Sequence, residues 1–209
     1  MKVLGIYGSA RKGGNSDHLL DKALEGAESS GALISRIYAR DLQISGCRAC
    51  GGCEKTGKCV LKDDMVSVYP QFEEADIIFL ASPVYFYGVT GQVKLLIDRS
   101  QAMWSKRMLE KTSEERKLLN KGIGYLIAVG ATKGQNLFEG VQLTAKYFFD
   151  ALDMSYGGGI FFRRLDTKDA VEGHPEMLQE AFELGKKAVE DFKSKVQGAA
   201  HKAQGQDIR

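Results

Sequence analysis

Five strand-length segments, three of them nearly continuous in apolar residues and each followed by polar loops and helical spacing, constrain this chain more than any other feature. Residues 2–8 hold Val3, Leu4, Ile6 and Tyr7, and residues 76–82 hold Ile77, Ile78, Phe79, Leu80 and Ala81. Residues 123–129 hold a comparable run, while 33–38 and 154–163 read as strand-length segments in which polar or glycine residues interrupt the apolar ones. Apolarity without alternation marks strands buried on both faces. Between the runs the period changes to that of a helix, as in Leu19, Leu20, Ala23, Leu24 and Ala27, with Gly31 as a stop. Strand and helix alternating in this way predict an α/β fold, a doubly wound parallel sheet with helices on both faces. Right-handed crossovers leave few topologies for it. Ligands of such sheets bind outside the carboxyl ends of the strands, where strand order reverses. The loops after strands one, three and four are therefore where chemistry is expected.

The remaining pattern fills in one domain over residues 1–196. A helix is expected over 64–75, kinked or split by Pro70. Another starts near Thr90, with Val93, Leu96, Ile97 and Ala102 or Met103 on one face, and 104–121 reads as a charged, helix-prone insertion. Helices are expected over 137–152 and from Pro175 to about Val196, proline suiting a first helical turn. Residues 197–209 carry almost no large apolar side chains and are expected to be disordered. The length of 209 residues suits one domain or at most two small ones. Lysine and arginine number 29 against 27 acidic residues, a balance that makes no case for nucleic acid or a membrane surface as partner. No apolar run approaches the ~20 residues of a membrane span, and the first residues are too glycine-rich for a signal peptide. A cytoplasmic protein is the expectation.

The loop after the first strand, Gly8-Ser9-Ala10-Arg11-Lys12-Gly13-Gly14-Asn15-Ser16, runs straight into a helix. Amides at a helix start, with short hydroxyl and amide side chains, make an anion site that needs no metal. A Walker A loop is excluded, because Gly14 and Asn15 stand where lysine and a hydroxyl residue are required. A dinucleotide Gly-x-Gly-x-x-Gly fails at Ala10. A plain turn capped by Asn15 or Ser16 would not call for so many glycines and hydroxyls. The loop is read as a site for a terminal monophosphate.

Ser82-Pro83-Val84-Tyr85-Phe86-Tyr87-Gly88 follows the third strand. Three consecutive aromatics at the sheet edge cannot all be core, and Pro83 stiffens the turn. A flat heterocycle needs apolar walls and fixed amides at its edge. The loop 130–136, with Gly130 and Thr132, reaches the same edge. A phosphate loop, an aromatic wall and a glycine loop suit flavin mononucleotide (FMN) better than ATP.

All four cysteines fall in a single loop, as Cys47-x2-Cys50-x2-Cys53-x5-Cys59 within 46–60. Secreted frameworks spread cysteines to staple distant segments, so this is read as a ligand set in a reducing compartment. Three thiolates at every third residue let one turning loop serve a compact centre, with Gly51, Gly52 and Gly57 permitting the turns. A [4Fe–4S] cube has four iron corners and four thiolates match it. Zinc prefers separated two-cysteine knuckles, and a Cys50–Cys53 disulfide is a further alternative. These alternatives stay open at this point.

The segments 9–16 and 82–85, with Lys94-x3-Asp98-Arg99, resemble the NADPH-dependent FMN reductase group of flavodoxin-like proteins. The run from Ile44-Ser45-Gly46-Cys47 to Asp63-Asp64-Met65 is similar to that of its iron–sulfur flavoprotein branch. The resemblance covers about residues 1–165. It implies the strand order 2-1-3-4-5, bound FMN and assembly into a homodimer or homotetramer. It further implies that Ser9, Arg11, Asn15 and Ser16 hold the phosphate, and that Pro83, Val84, Tyr85, Phe86 and Tyr87 flank the isoalloxazine. Three functions are then open. One is an FMN-dependent redox enzyme moving electrons between flavin and a cluster on Cys47, Cys50, Cys53 and Cys59. Another is an NAD(P)H-dependent FMN or quinone reductase without a cluster, and the third is a carrier reduced by ferredoxin and oxidised by a small-molecule or protein acceptor. No acid or base residue is assigned, since the chemistry belongs to the cofactors. His18 and His174 are read as surface and helix-entry residues.

Overall fold

A computed structural model describes residues 1–119 and 121–204. The five strand-length segments form β1 (Lys2–Tyr7), β2 (Leu33–Tyr38), β3 (Ile77–Pro83), β4 (Gly122–Gly130) and β5 (Met154–Arg163). All neighbouring pairs are parallel, in the order β2-β1-β3-β4-β5. This is the doubly wound, flavodoxin-like sheet expected from the sequence. The helices are α1 (Asn15–Ser29), α2 (Gly52–Thr56), α3 (Met65–Glu74), α4 (Gly91–Arg99), α5 (Gln101–Glu110), α6 (Glu139–Ala151) and α7 (Pro175–Gln204).

The two-sided burial of the strands divides the core into two layers. Val3 and Tyr7 of β1, Ile77 and Phe79 of β3, and Tyr125 and Ile127 of β4 face Leu20, Leu24 and Val189 of α1 and α7. Leu4 and Ile6, Ile78 and Leu80, and Leu126 face Phe72, Leu96 and Phe148 of α3, α4 and α6. On the first side the helices touch backbone to backbone. A Cβ on Gly185 would lie 1.9 Å from the Ala23 carbonyl oxygen, and one on Gly26 would lie 2.0 Å from that of Phe182.

Three expectations are corrected. Helix α3 is not split at Pro70, which lies inside it; the carbonyl that loses its partner belongs to Val66, which is 54% exposed and can turn to solvent. The single helix expected beyond Thr90 is divided at Ser100, whose hydroxyl donates back to the Leu96 carbonyl at 3.1 Å; such back-bonding bends helices. Helix α7 continues to Gln204 rather than ending near Val196. The tail expected to be disordered therefore overlaps this helix over 197–204, while 205–209 lie outside the described residues. Within 104–121 the helix covers only the start, and a 3-10 turn at Glu115–Lys117 follows. Among the described residues no helix is long and apolar enough to cross a membrane.

Candidate functional site

Gly8 follows the end of β1, where its amide donates to the Ala81 carbonyl at 2.7 Å. A Cβ there would stand 2.4 Å from that same oxygen, so the chain can leave the sheet here only as glycine. Thr90 donates to the Gly8 carbonyl at 2.6 Å while capping α4, which locks the loop to the next crossover. The loop then turns on itself. The Arg11 amide donates to Ser9 Oγ at 3.0 Å, and the Gly13 amide, at a φ of 63°, donates to Asp17 Oδ2 at 3.1 Å. Burial pushes the Asp17 carboxyl above the usual range, against the pull of Arg40, 2.9 Å away, and of the Gly13 amide. Helix α1 begins with no side-chain cap. Among the described residues, no hydrogen bond engages the amides of Gly14, Asn15 and Ser16. Three free amides at a helix start, beside the buried Ser9 and Ser16, form an anion nest.

Asn15 has a different employment from the one expected. Its amide nitrogen donates to the Thr167 carbonyl at 2.7 Å and its oxygen accepts from the Val171 amide at 3.0 Å. The side chain therefore clamps the segment after β5 against α1.

That clamp completes an open cleft of about 550 Å³. Ser9, Arg11, Asn15, Ser16, Pro83, Val84, Tyr85 and Gly130 line it, so loops after strands one, three and four converge as the topology requires. Gly14, Val129, Ala131, Leu165, Asp166 and Lys168 line it too. The last three were missed because 164–168 carries no motif; the carboxyl-edge position after β5 was the signal available. Phe86, Tyr87 and Thr132 are outside the lining. Phe86 stands free in solvent, and Tyr87 turns its hydroxyl toward Gly134. Tyr85 and Gly88 exchange both backbone hydrogen bonds at 2.9 Å, with Phe86 and Tyr87 at φ of 49° and 62°. This is a type I′ turn, whose left-handed positions ordinarily take asparagine or glycine.

The cysteine loop makes a second, wider opening of about 1110 Å³, lined by Cys47, Cys50, Cys53 and Cys59 with Arg48, Glu54, Asp98 and Arg99. It shares no lining residue with the first cleft. Gly51 and Gly57, at φ of 69° and 67°, bracket the short helix α2. The base of the loop is held by two aspartates: Asp63 accepts from the Ser45 amide at 3.1 Å, and Asp64 from the Gln43 amide at 2.6 Å. The Ser105 hydroxyl donates to Cys53 Sγ at 3.4 Å. All four cysteines are free thiols. Burial pushes the Cys59 thiol up, but the Leu61 amide, the Arg99 guanidinium and the Tyr69 hydroxyl outweigh it and bring the thiol below its ordinary value. No three of the sulfurs lie within 4.8 Å of one another. Tetrahedral zinc, with Zn–S about 2.3 Å, would need them about 3.8 Å apart.

His18 and His174 lie where expected, outside both openings. His18 faces Asp169 and Glu172 at 3.8 and 3.7 Å, and His174 faces Glu176 at 3.0 Å.

A parallel 2-1-3-4-5 sheet with an anion nest at the β1 crossover and an apolar wall after β3 defines a flavodoxin-like protein. Residues 1–162 match the model of the NADPH-dependent FMN reductase family. An iron–sulfur flavoprotein of Archaeoglobus fulgidus is 44% identical over 47% of this chain and 45% of its own length. Two from Methanocaldococcus jannaschii are 35% identical over 71% of this chain and 72% of their relative, and 30% identical over 92% and 95%. The chain thus spans less than half of the first relative and nearly all of the last. Among solved structures, a flavone reductase superposes with a TM-score of 0.67 at 20% identity, covering 92% of this chain and 63% of the other. An NAD(P)H:quinone oxidoreductase from Methanothermobacter marburgensis gives 0.65 at 13%, covering 89% and 98%. These last two show the fold alone. The chain belongs to the NADPH-dependent FMN reductase family and to its iron–sulfur flavoprotein branch.

Proposed function

We propose that this protein passes electrons between FMN in the first cleft and a [4Fe–4S] cluster held by Cys47, Cys50, Cys53 and Cys59. The observation that carries this reading is the arrangement of the four thiols. They line one cavity and none is tied in a disulfide. A cube has four iron corners, each taking one thiolate, and four thiols match that number. Bound FMN would accept electrons in pairs and release them singly, and a cluster handles one at a time. The chain's own residues bind and orient. Ser9, Ser16 and the free amides at the start of α1 receive the phosphate, with Arg11 and Lys168 supplying positive charge. Pro83, Val84 and Tyr85 wall the ring system on one side and Gly130 on the other, while Phe86, Tyr87 and Thr132 stand at the rim.

NAD(P)H is the proposed donor, supported by the family's description, and ferredoxin is the competing one. The protein would work in the cytoplasm, where four free thiols persist. Assembly into a homodimer or homotetramer is supported by Trp104, Leu143 and Tyr147, large apolar side chains left exposed on α5 and α6.

Anaerobic purification followed by a visible spectrum with iron, sulfide and FMN assays tests the reading. Four iron and four sulfide per FMN are expected. Full FMN occupancy with iron near zero would leave an NAD(P)H-dependent FMN or quinone reductase with idle cysteines. Stopped-flow mixing separates the donors: bleaching by reduced ferredoxin but by neither nicotinamide would make the protein a carrier.

A further inference from the structure

Two sequence motifs that the binding loops do not use meet at a single ion pair. Arg99, the last residue of α4, is 1% exposed. Its Nη1 donates to Asp63 Oδ2 at 2.5 Å and to the Ser45 carbonyl at 2.8 Å, and its Nη2 donates to Asp63 Oδ1 at 3.0 Å. Its Nε is buried without a partner. The same side chain walls the cysteine cavity beside Cys59. A buried ion pair is a costly way to fasten a loop, because a well-packed apolar pair of similar volume commonly holds as well or better. A buried guanidinium in the wall of a cavity that four thiols line calls for an electrostatic purpose.

We infer that Arg99 tunes the reduction potential of the centre that the four cysteines hold, raising it through its fixed positive charge. The inference rests on the cluster reading above. Uptake of one electron adds a negative charge to a cluster, and net charge and hydrogen bonds near the sulfurs set the potential. A cation in a water-poor wall favours the reduced form more strongly than the same cation in solvent. Asp63 forks the guanidinium and attenuates its field, so the two residues act with opposite sign. Arg99 is thus a positioning residue for Ser45 and Asp63 and a tuning residue for the electrons.

The test is an anaerobic dithionite titration of the holoprotein with mediators, the cluster followed by electron paramagnetic resonance and FMN by absorbance. Iron and sulfide are assayed on each sample. Arg99→Gln is expected to lower the cluster midpoint, so that at the wild-type midpoint the reduced-to-oxidised ratio falls about tenfold, equivalent to 59 mV for one electron. Asp63→Asn is expected to raise it, and Arg99→Lys, which keeps the charge but loses the fork, to fall between Arg99→Gln and the wild type. The FMN midpoint stays fixed throughout. Midpoints of Arg99→Gln and Asp63→Asn that move in the same direction, or that stay at the wild-type value with iron fully loaded, overturn the inference alone. Wild-type protein free of iron and sulfide overturns the cluster reading, and the inference with it. Should Arg99→Gln fail to fold, the sign for Asp63→Asn decides.

Discussion

Phe86 and Tyr87 occupy backbone conformations that bulky residues avoid, each at a cost of roughly 1–2 kcal/mol. Tyr87 recovers part of that cost by packing over Gly134 and Gly140. Phe86 recovers none, because its side chain is fully exposed. Strain without local compensation marks a position kept for something other than stability. Phe86→Asn, which tolerates the left-handed region, is expected to stabilise the ligand-free protein by about 1 kcal/mol in urea unfolding. A destabilised variant would show that the turn is not strained. The aromatic run was readable in the sequence as a wall flanking a ring system at the sheet edge. Which aromatics face inward was not, because the direction of a side chain depends on the turn type and that depends on how Tyr85 and Gly88 pair.

At the scale of elements, the contact between α1 and α7 and the clamp between α4 and the cysteine loop carry separate predictions. Gly185 presses on the Ala23 carbonyl, so Gly185→Ala must push α7 away from α1. A loss of about 2 kcal/mol is expected, by the usual cost of overpacking, and denaturant titration checks it. An unchanged midpoint would mean that the helices are free to slide. For the clamp, hydrogen bonds from Arg99 hold the Asp63 carboxyl below the usual carboxylate range. A depressed native value means that the pair stabilises fully above the unfolded carboxylate's value, about 4, and loses that contribution as pH falls through the native value. Wild-type stability should therefore drop between about pH 5 and pH 2 more steeply than that of Asp63→Asn. Parallel acid limbs would remove Asp63 from the account.

Across the whole molecule, the first cleft and the cysteine cavity share no lining residue, although both open from loops that leave the carboxyl edge of the sheet. Cys53→Ser should then abolish the broad absorption of a cluster while leaving FMN bound at one per chain. Joint loss of both would mean that the cysteine loop supports the fold rather than a centre of its own. The two-layered core and the position of the anion nest follow from local patterns: apolar runs without alternation, helical periods, and a glycine-rich loop before a helix. Apart from the strand order, which only the family resemblance supplied, the signals are local, so the chain by itself determined them, along with the spacing of four thiols in one turning loop. Tertiary structure alone decided that Asn15 clamps the segment after β5, that this segment brings Lys168 to the cleft, and that Arg99 reaches Asp63 across 36 positions of sequence. Such contacts depend on which face each element turns to its neighbour once the sheet has twisted and the helices have docked, and no local pattern encodes that.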